Sequence, residues 1–177
     1  MSILCEKDLE NNIPWDCSTD AESYSNVSRF VFIRKKANIA DPADSLQWDT
    51  AKTAGDLVVY PKVDGTYDGG QPEKGRAYGP KKEQIRKNPH TVKFMVPFKR
   101  SDIAFINSAN YDNNEGCSFT TGYDEHQFFV SKQVSVVARP LFDKGISEIV
   151  DVEFEVTWDS LLLPNAYDVP AAVKSST

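Results

Sequence analysis

Asp151, Glu153, Glu155 and Asp159 are the residues of this chain closest to an acid/base arrangement. Two carboxylates held a few ångströms apart can divide into a proton donor and a proton acceptor. These four lie in the run V-D-V-E-F-E-V-T-W-D (residues 150–159), whose other parity is Val150, Val152, Phe154, Val156 and Trp158. Side chains alternate across a strand, so the run predicts one apolar face and one acidic face. A row of acids along a sheet face is first a solvated or repulsive surface, and we expect no catalysis from it.

The other chemistry-bearing residues are sparse. His90 and His126 are the two histidines, without HExxH or HxH spacing, which gives a weak metal signal. Asp124 and Glu125 beside His126 read as a solvated strand end. Asp64, Thr66, Asp68 and Gly69 imitate the opening of a calcium loop, but the twelfth position is Gly75, where a bidentate Glu is needed. The segment G-R-A-Y-G-P-K (residues 75–81) lacks the spacing and the Gly-Lys-Ser/Thr ending of a phosphate loop. There is no G-x-S-x-G elbow, and no cysteine has a histidine near it in sequence. Asn26-Val-Ser28 is a glycosylation sequon by letters alone. The expectation is a non-enzyme with no cofactor and no metal.

Charge is the stronger signal. The 177 residues carry a net charge of −6. Residues 71–100 hold nine bases against two acids, a net +7, while the other 147 residues hold eleven bases against 24 acids, a net −13. The segment 62–89 is rich in Gly, Pro and charge and carries Lys74, Arg76, Lys81, Lys82, Arg86 and Lys87. A stretch of that length without regular structure in a compact domain is functional or disordered, and it is expected to be a long basic loop.

The rest of the chain predicts the scaffold. Residues 1–27 read as an extended polar arm. Strands are expected at 29–34, 57–60, 91–98, 119–122, 127–138 and 150–159. Lys132 breaks the apolar stripe of 127–138 and marks a bulge or a strand end. A helix should start at Asp41-Pro42 with Leu46, Ala51 and Ala54 inward and Gly55 as its stop. A second is expected over 102–108, capped by Ser101. The sum is one mainly β domain, a β-sandwich or barrel of about six strands with one or two short helices and a long charged loop. No run of 18 apolar residues occurs, so no membrane span is expected. The first residues carry no basic-then-apolar leader, so synthesis in the cytoplasm is expected. Cys5, Cys17 and Cys117 are an odd set, expected as free thiols, although Cys5 and Cys17 could close a loop.

Three readings of the charge asymmetry compete. A basic loop on an acidic body is self-complementary between copies, and such a head-to-tail contact builds rings or tubes. The same bases, with Tyr67 and Tyr78 for stacking, could bind nucleic acid, although no nucleic-acid motif is present and the body is acidic. A solvated loop is the third. Assembly is preferred.

The order of elements resembles the tail-tube and related virion proteins of tailed bacteriophages: polar arm, strand, long charged loop, strand, short helix, closing strands. The segment F-F-V-S-K-Q-V-S-V (residues 128–136), followed by V-E-F-E-V-T-W, is similar to the closing strands of such proteins. The resemblance implies small β-sandwich or barrel subunits whose sheets join into rings, hexameric ones among them. It also implies a loop reaching the neighbouring subunit, other virion proteins as partners and transient passage of DNA. Location in the virion after synthesis in the host cytoplasm would follow, and a head-tail connector or capsid accessory protein fits the same layout. The face of Asp151, Glu153, Glu155 and Asp159 would then line either a lumen or a groove between subunits. An acidic lumen repels phosphates and lets DNA pass.

Overall fold

The computed structural model describes residues 26–34, 37–76, 83–111, 116–122, 126–142 and 150–174. Most of the expected arm, the turn at 143–145, Cys5, Cys17, Asp124, Glu125, Lys81 and Lys82 lie outside these residues. Within them the chain forms β1 (Asn26–Ile33), α1 (Ser45–Thr53), β2 (Leu57–Tyr60), β3 (Asp64–Asp68), β4 (Glu73–Arg76), β5 (Glu83–Lys87) and β6 (Pro89–Pro97). It continues through a 3-10 turn (Arg100–Asp102), α2 (Ile103–Tyr111), β7 (Gly116–Thr121), β8 (His126–Val130), β9 (Ser135–Leu141), β10 (Asp151–Asp159), β11 (Asn165–Tyr167) and α3 (Ala171–Lys174).

The protein is mainly β. Nine strands form one antiparallel sheet in the order β11-β8-β7-β1-β3-β6-β10-β9, with β2 beside the second half of β1. β4 and β5 pair apart from it as a two-stranded ribbon. Among the described residues the ladders leave the sheet open, so the pairings trace neither two facing sheets nor a closed barrel. The sheet is strongly rolled. β7 and β10 are four ladder steps apart, about 19 Å in a flat sheet, yet the Phe119 and Trp158 rings lie 6.3 Å apart across the concave face. That face holds the main core, where Phe94 stacks on Phe154 at 5.1 Å and on Phe30 at 4.6 Å.

β1 shows why its sequence is a continuous apolar run. Phe30 and Phe32 point into the main core, whereas Val31 and Ile33 point into a second cluster with Trp48 of α1 and Val173 of α3. A strand covered on both faces has no polar parity. The carbonyls closing the short α3 are met by Arg29 Nη1 at 2.9 Å from Val173 O and by Lys52 Nζ at 2.8 Å from Ala172 O, which satisfies groups a four-residue helix leaves open.

Several expectations change. Residues 62–89 are not one loop: β3 enters the main sheet, pairing with β6 from Asp64↔Met95 to Asp68↔Thr91, and 73–76 pairs with 83–87 as the ribbon. Pro61 has no N–H, which interrupts β2 from β3, while Val63 N still donates to Ser28 O at 3.0 Å. The expected strand 127–138 is two strands at distant places in the sheet, with the break around Lys132 carrying the chain from β8 to the β9 edge. In α1 the cap is Asp44, accepting from Leu46 N at 3.0 Å, while Asp41 instead accepts from Ala43 N. The buried side chains of α1 are Trp48 and Ala51, and Leu46 is 69% exposed. Ser101 lies inside the 3-10 turn and does not cap α2.

Candidate assembly surface

The strand β10 takes the predicted alternation: Val152, Phe154, Val156 and Trp158 are buried, and their neighbours face outward. β6 pairs with it over nine residues and β9 over seven. The outer face of β3, β6, β10 and β9 therefore forms one panel. It carries Asp64, Asp68, Asp151, Glu153, Glu155 and Asp159 against Lys93 and Arg139, six acids to two bases.

The acidic row is partly neutralised by its own chain. Glu155 meets Lys93 at 3.3 Å on β6, and Glu153 meets Arg139 on β9. Both are cross-strand pairs in direct register, the arrangement that favours opposite charges. At the end of the strand, Asp159 lies 4.0 Å from Lys87, which also meets Glu73 at 3.4 Å. The structure thus joins the two charged sets the sequence singled out, but within one copy. Of the six bases, Lys74 and Arg76 lie on β4 and Arg86 and Lys87 on β5; Lys81 and Lys82 fall outside the described residues.

Beneath the Asp159 end lies a buried aromatic stack. His90 is fully buried; its Nδ1 is 2.7 Å from Tyr67 Oη and its Nε2 is 3.1 Å from Ser160 O. A neutral imidazole satisfies both contacts when Nε2–H donates to the carbonyl and the Tyr67 hydroxyl donates to Nδ1. The His90 ring lies over Trp158 at 5.4 Å and 6°. Burial, and secondarily the Asp68 carboxylate, pushes the Tyr67 hydroxyl up to about 12. This group pins the chain where β10 leaves the sheet. It does not resemble a metal site, and no cluster of three His, Cys, Asp or Glu stands ready for a metal among the described residues. Asp64, Thr66 and Asp68 alternate along β3 rather than wrapping a cation. Cys117 is fully buried and its thiol is raised by that burial, which makes it a poor nucleophile. No helix among the described residues is long and apolar enough to cross a membrane.

Three apolar features were passed over in the sequence. Leu161, Leu162 and Leu163, directly after β10, are 60%, 78% and 68% exposed. Val137 on the β9 edge strand and Phe142 just beyond it are also exposed, Phe142 against Phe98 at 6.0 Å. A cleft of about 510 Å³ opens between β2 and the far end of β6, with Val58, Tyr60, Val96 and Phe105 in its wall. Three consecutive leucines before a proline were a readable signal: no alternation or helical period buries all three.

No family profile matches the chain, and no curated protein or solved structure matches it either.

Proposed function

We propose that the protein is a virion structural subunit that assembles in many copies into rings or a tube, most simply a tail tube conducting DNA. The observation that carries this reading is the four-strand outer panel with six acids against two bases. Set around a channel, that face repels a passing phosphate backbone instead of binding it. The sheet edge supports the same reading. β9 is an edge strand with Val137 exposed and Phe142 beyond it, and an exposed edge must be blunted, covered or paired. Pro140 blunts its far end and α2 packs against the strand. Pairing with a neighbouring copy covers the rest.

The test is charge reversal of the panel. Glu153→Lys, Glu155→Lys and Asp159→Lys together should leave assembly visible by negative-stain microscopy and reduce DNA delivery of particles built with the variant. Unchanged delivery through an intact tube contradicts the acidic-channel role. A second reading draws on the ribbon: two paired strands bearing Lys74, Arg76, Arg86 and Lys87 have a shape that a major groove admits. Salt-sensitive DNA binding by the monomer, lost when these four become Gln, would favour it.

A further inference from the structure

The end of the described chain covers the outer face of β1, β7 and β8 with few residues. β11 adds a three-residue strand to the edge of β8, from Asn165↔Phe129 to Tyr167↔Gln127. After Pro170 the four-residue α3 sets Val173 in the cluster of Val31, Ile33 and Trp48, apart from the main core. The floor beneath this segment is not apolar throughout. Ladder register places Ser118 between Val31 and Phe129, and Thr120 between Arg29 and Gln127; residues directly opposite one another share a face. Ser118, Thr120 and Gln127 are at most 1% exposed. Gln127 Nε2 donates to Ser118 Oγ, but Gln127 Oε1 and Thr120 Oγ1 have no hydrogen-bond partner among the described residues. A buried polar atom without a partner favours any state that returns it to water. Val31 and Ile33 fill the neighbouring positions of β1 without that penalty.

We infer that residues 165–174 form a latch that opens as a unit while the rest of the sheet stays folded. Such sub-global opening falls where an element has few apolar contacts of its own. The hinge lies just before it. Ser160 is held on both sides, its N donating to Asn88 O at 3.0 Å and its O meeting His90 Nε2 at 3.1 Å. Beyond Ser160, the three leucines at 161–163 are exposed and Pro164 has no backbone donor. Opening therefore stops at Ser160. It wets Thr120 Oγ1 and Gln127 Oε1, and it bares Trp48 and the edge of β8. Arg29 and Lys52 act as clasps through the carbonyls of Val173 and Ala172. The latch is a property of the single copy and does not depend on assembly.

Native-state hydrogen exchange of the full chain, read by mass spectrometry, tests the latch. Amides of 165–174 and those of β8 that pair with β11 should exchange together, at least a hundredfold faster than the amides shared by β6 and β10. Thr120→Val/Gln127→Leu removes the two unpartnered atoms at nearly constant volume and should slow exchange of the segment at least tenfold. Arg29→Gln releases one clasp and should speed it several-fold. In the parent chain, exchange of 165–174 at the same rate as β6 and β10 would show that the segment opens only with the whole fold, and would overturn the latch without any variant. Unchanged exchange of the segment in Thr120→Val/Gln127→Leu would show that opening does not wet the polar row, and overturns it as well.

Discussion

Two glycines with positive φ separate backbone strain from crowding at the scale of the residue. Gly55, at φ 75, has open space where a Cβ would stand, whereas at Gly70, φ 70, that atom would fall 1.7 Å from Pro89 O. Gly55→Ala should therefore cost only the left-handed conformation, about 1–2 kcal/mol. Gly70→Ala adds a backbone clash and should exceed about 3 kcal/mol; urea midpoints of the two variants check the order. Phe154→Ala opens the centre of the ring cluster and should cost about 3–5 kcal/mol. Lys93→Ala breaks an exposed pair with Glu155 and should shift stability by less than about 1 kcal/mol. Tyr67 adds a pH dependence. Its folded value of about 12 stands above the ordinary 10.0, so the folded state keeps a proton that the unfolded chain loses. That stabilisation is complete below pH 10 and is lost as pH rises toward 12. The alkaline fall of Tm between those values should be shallower in Tyr67→Phe; an identical profile contradicts the assignment. The apolar parity of β10 was legible residue by residue, because burial on one face alone leaves a period of two. The partners of its acids were not: Lys93 and Arg139 lie 62 and 14 residues from their mates by number, and only register brings them there.

At the scale of the element, the ribbon β4–β5 is separable from the sheet. Its two ends meet where Gly70 packs against Pro89 and Asn88, so the segment 71–87 can be replaced by two glycines without disturbing the β3–β6 register. The shortened protein should keep its far-UV spectrum and melt cooperatively, while the yield of rings or tubes falls sharply. Normal assembly after the deletion would show that the ribbon contributes no contact between copies. The sequence hid this element because its strands are only four and five residues long and lie among glycines and prolines, too short for a period to emerge. It also hid the separate destinations of β8 and β9. Lys132 announces an interruption, but the placement of the two strands at distant parts of the sheet follows from long-range pairing, which local pattern does not encode. Trp48 was missed for a related reason: the second cluster exists only once α1 and α3 have packed on the outer side of β1.

The whole molecule is a rolled sheet whose inner face is filled by aromatic rings and whose outer face is divided between two short helices and an acidic panel. Among the described residues the apolar features that face outward include Val137 on β9, the leucine turn at one end of β10 and the cleft between β2 and β6 at the other. Mainly β character and the charge asymmetry were legible from composition and alternation, since both are sums over many residues. The opposition of turn and cleft was not, because it depends on which ends of β6 and β10 lie together. The central claim is that this chain works in many copies. Negative-stain electron microscopy of the purified full chain over a concentration series tests it most directly: rings or tubes of regular diameter that grow in number with concentration are predicted, and a field of isolated particles of about 20 kDa at the highest concentration contradicts it.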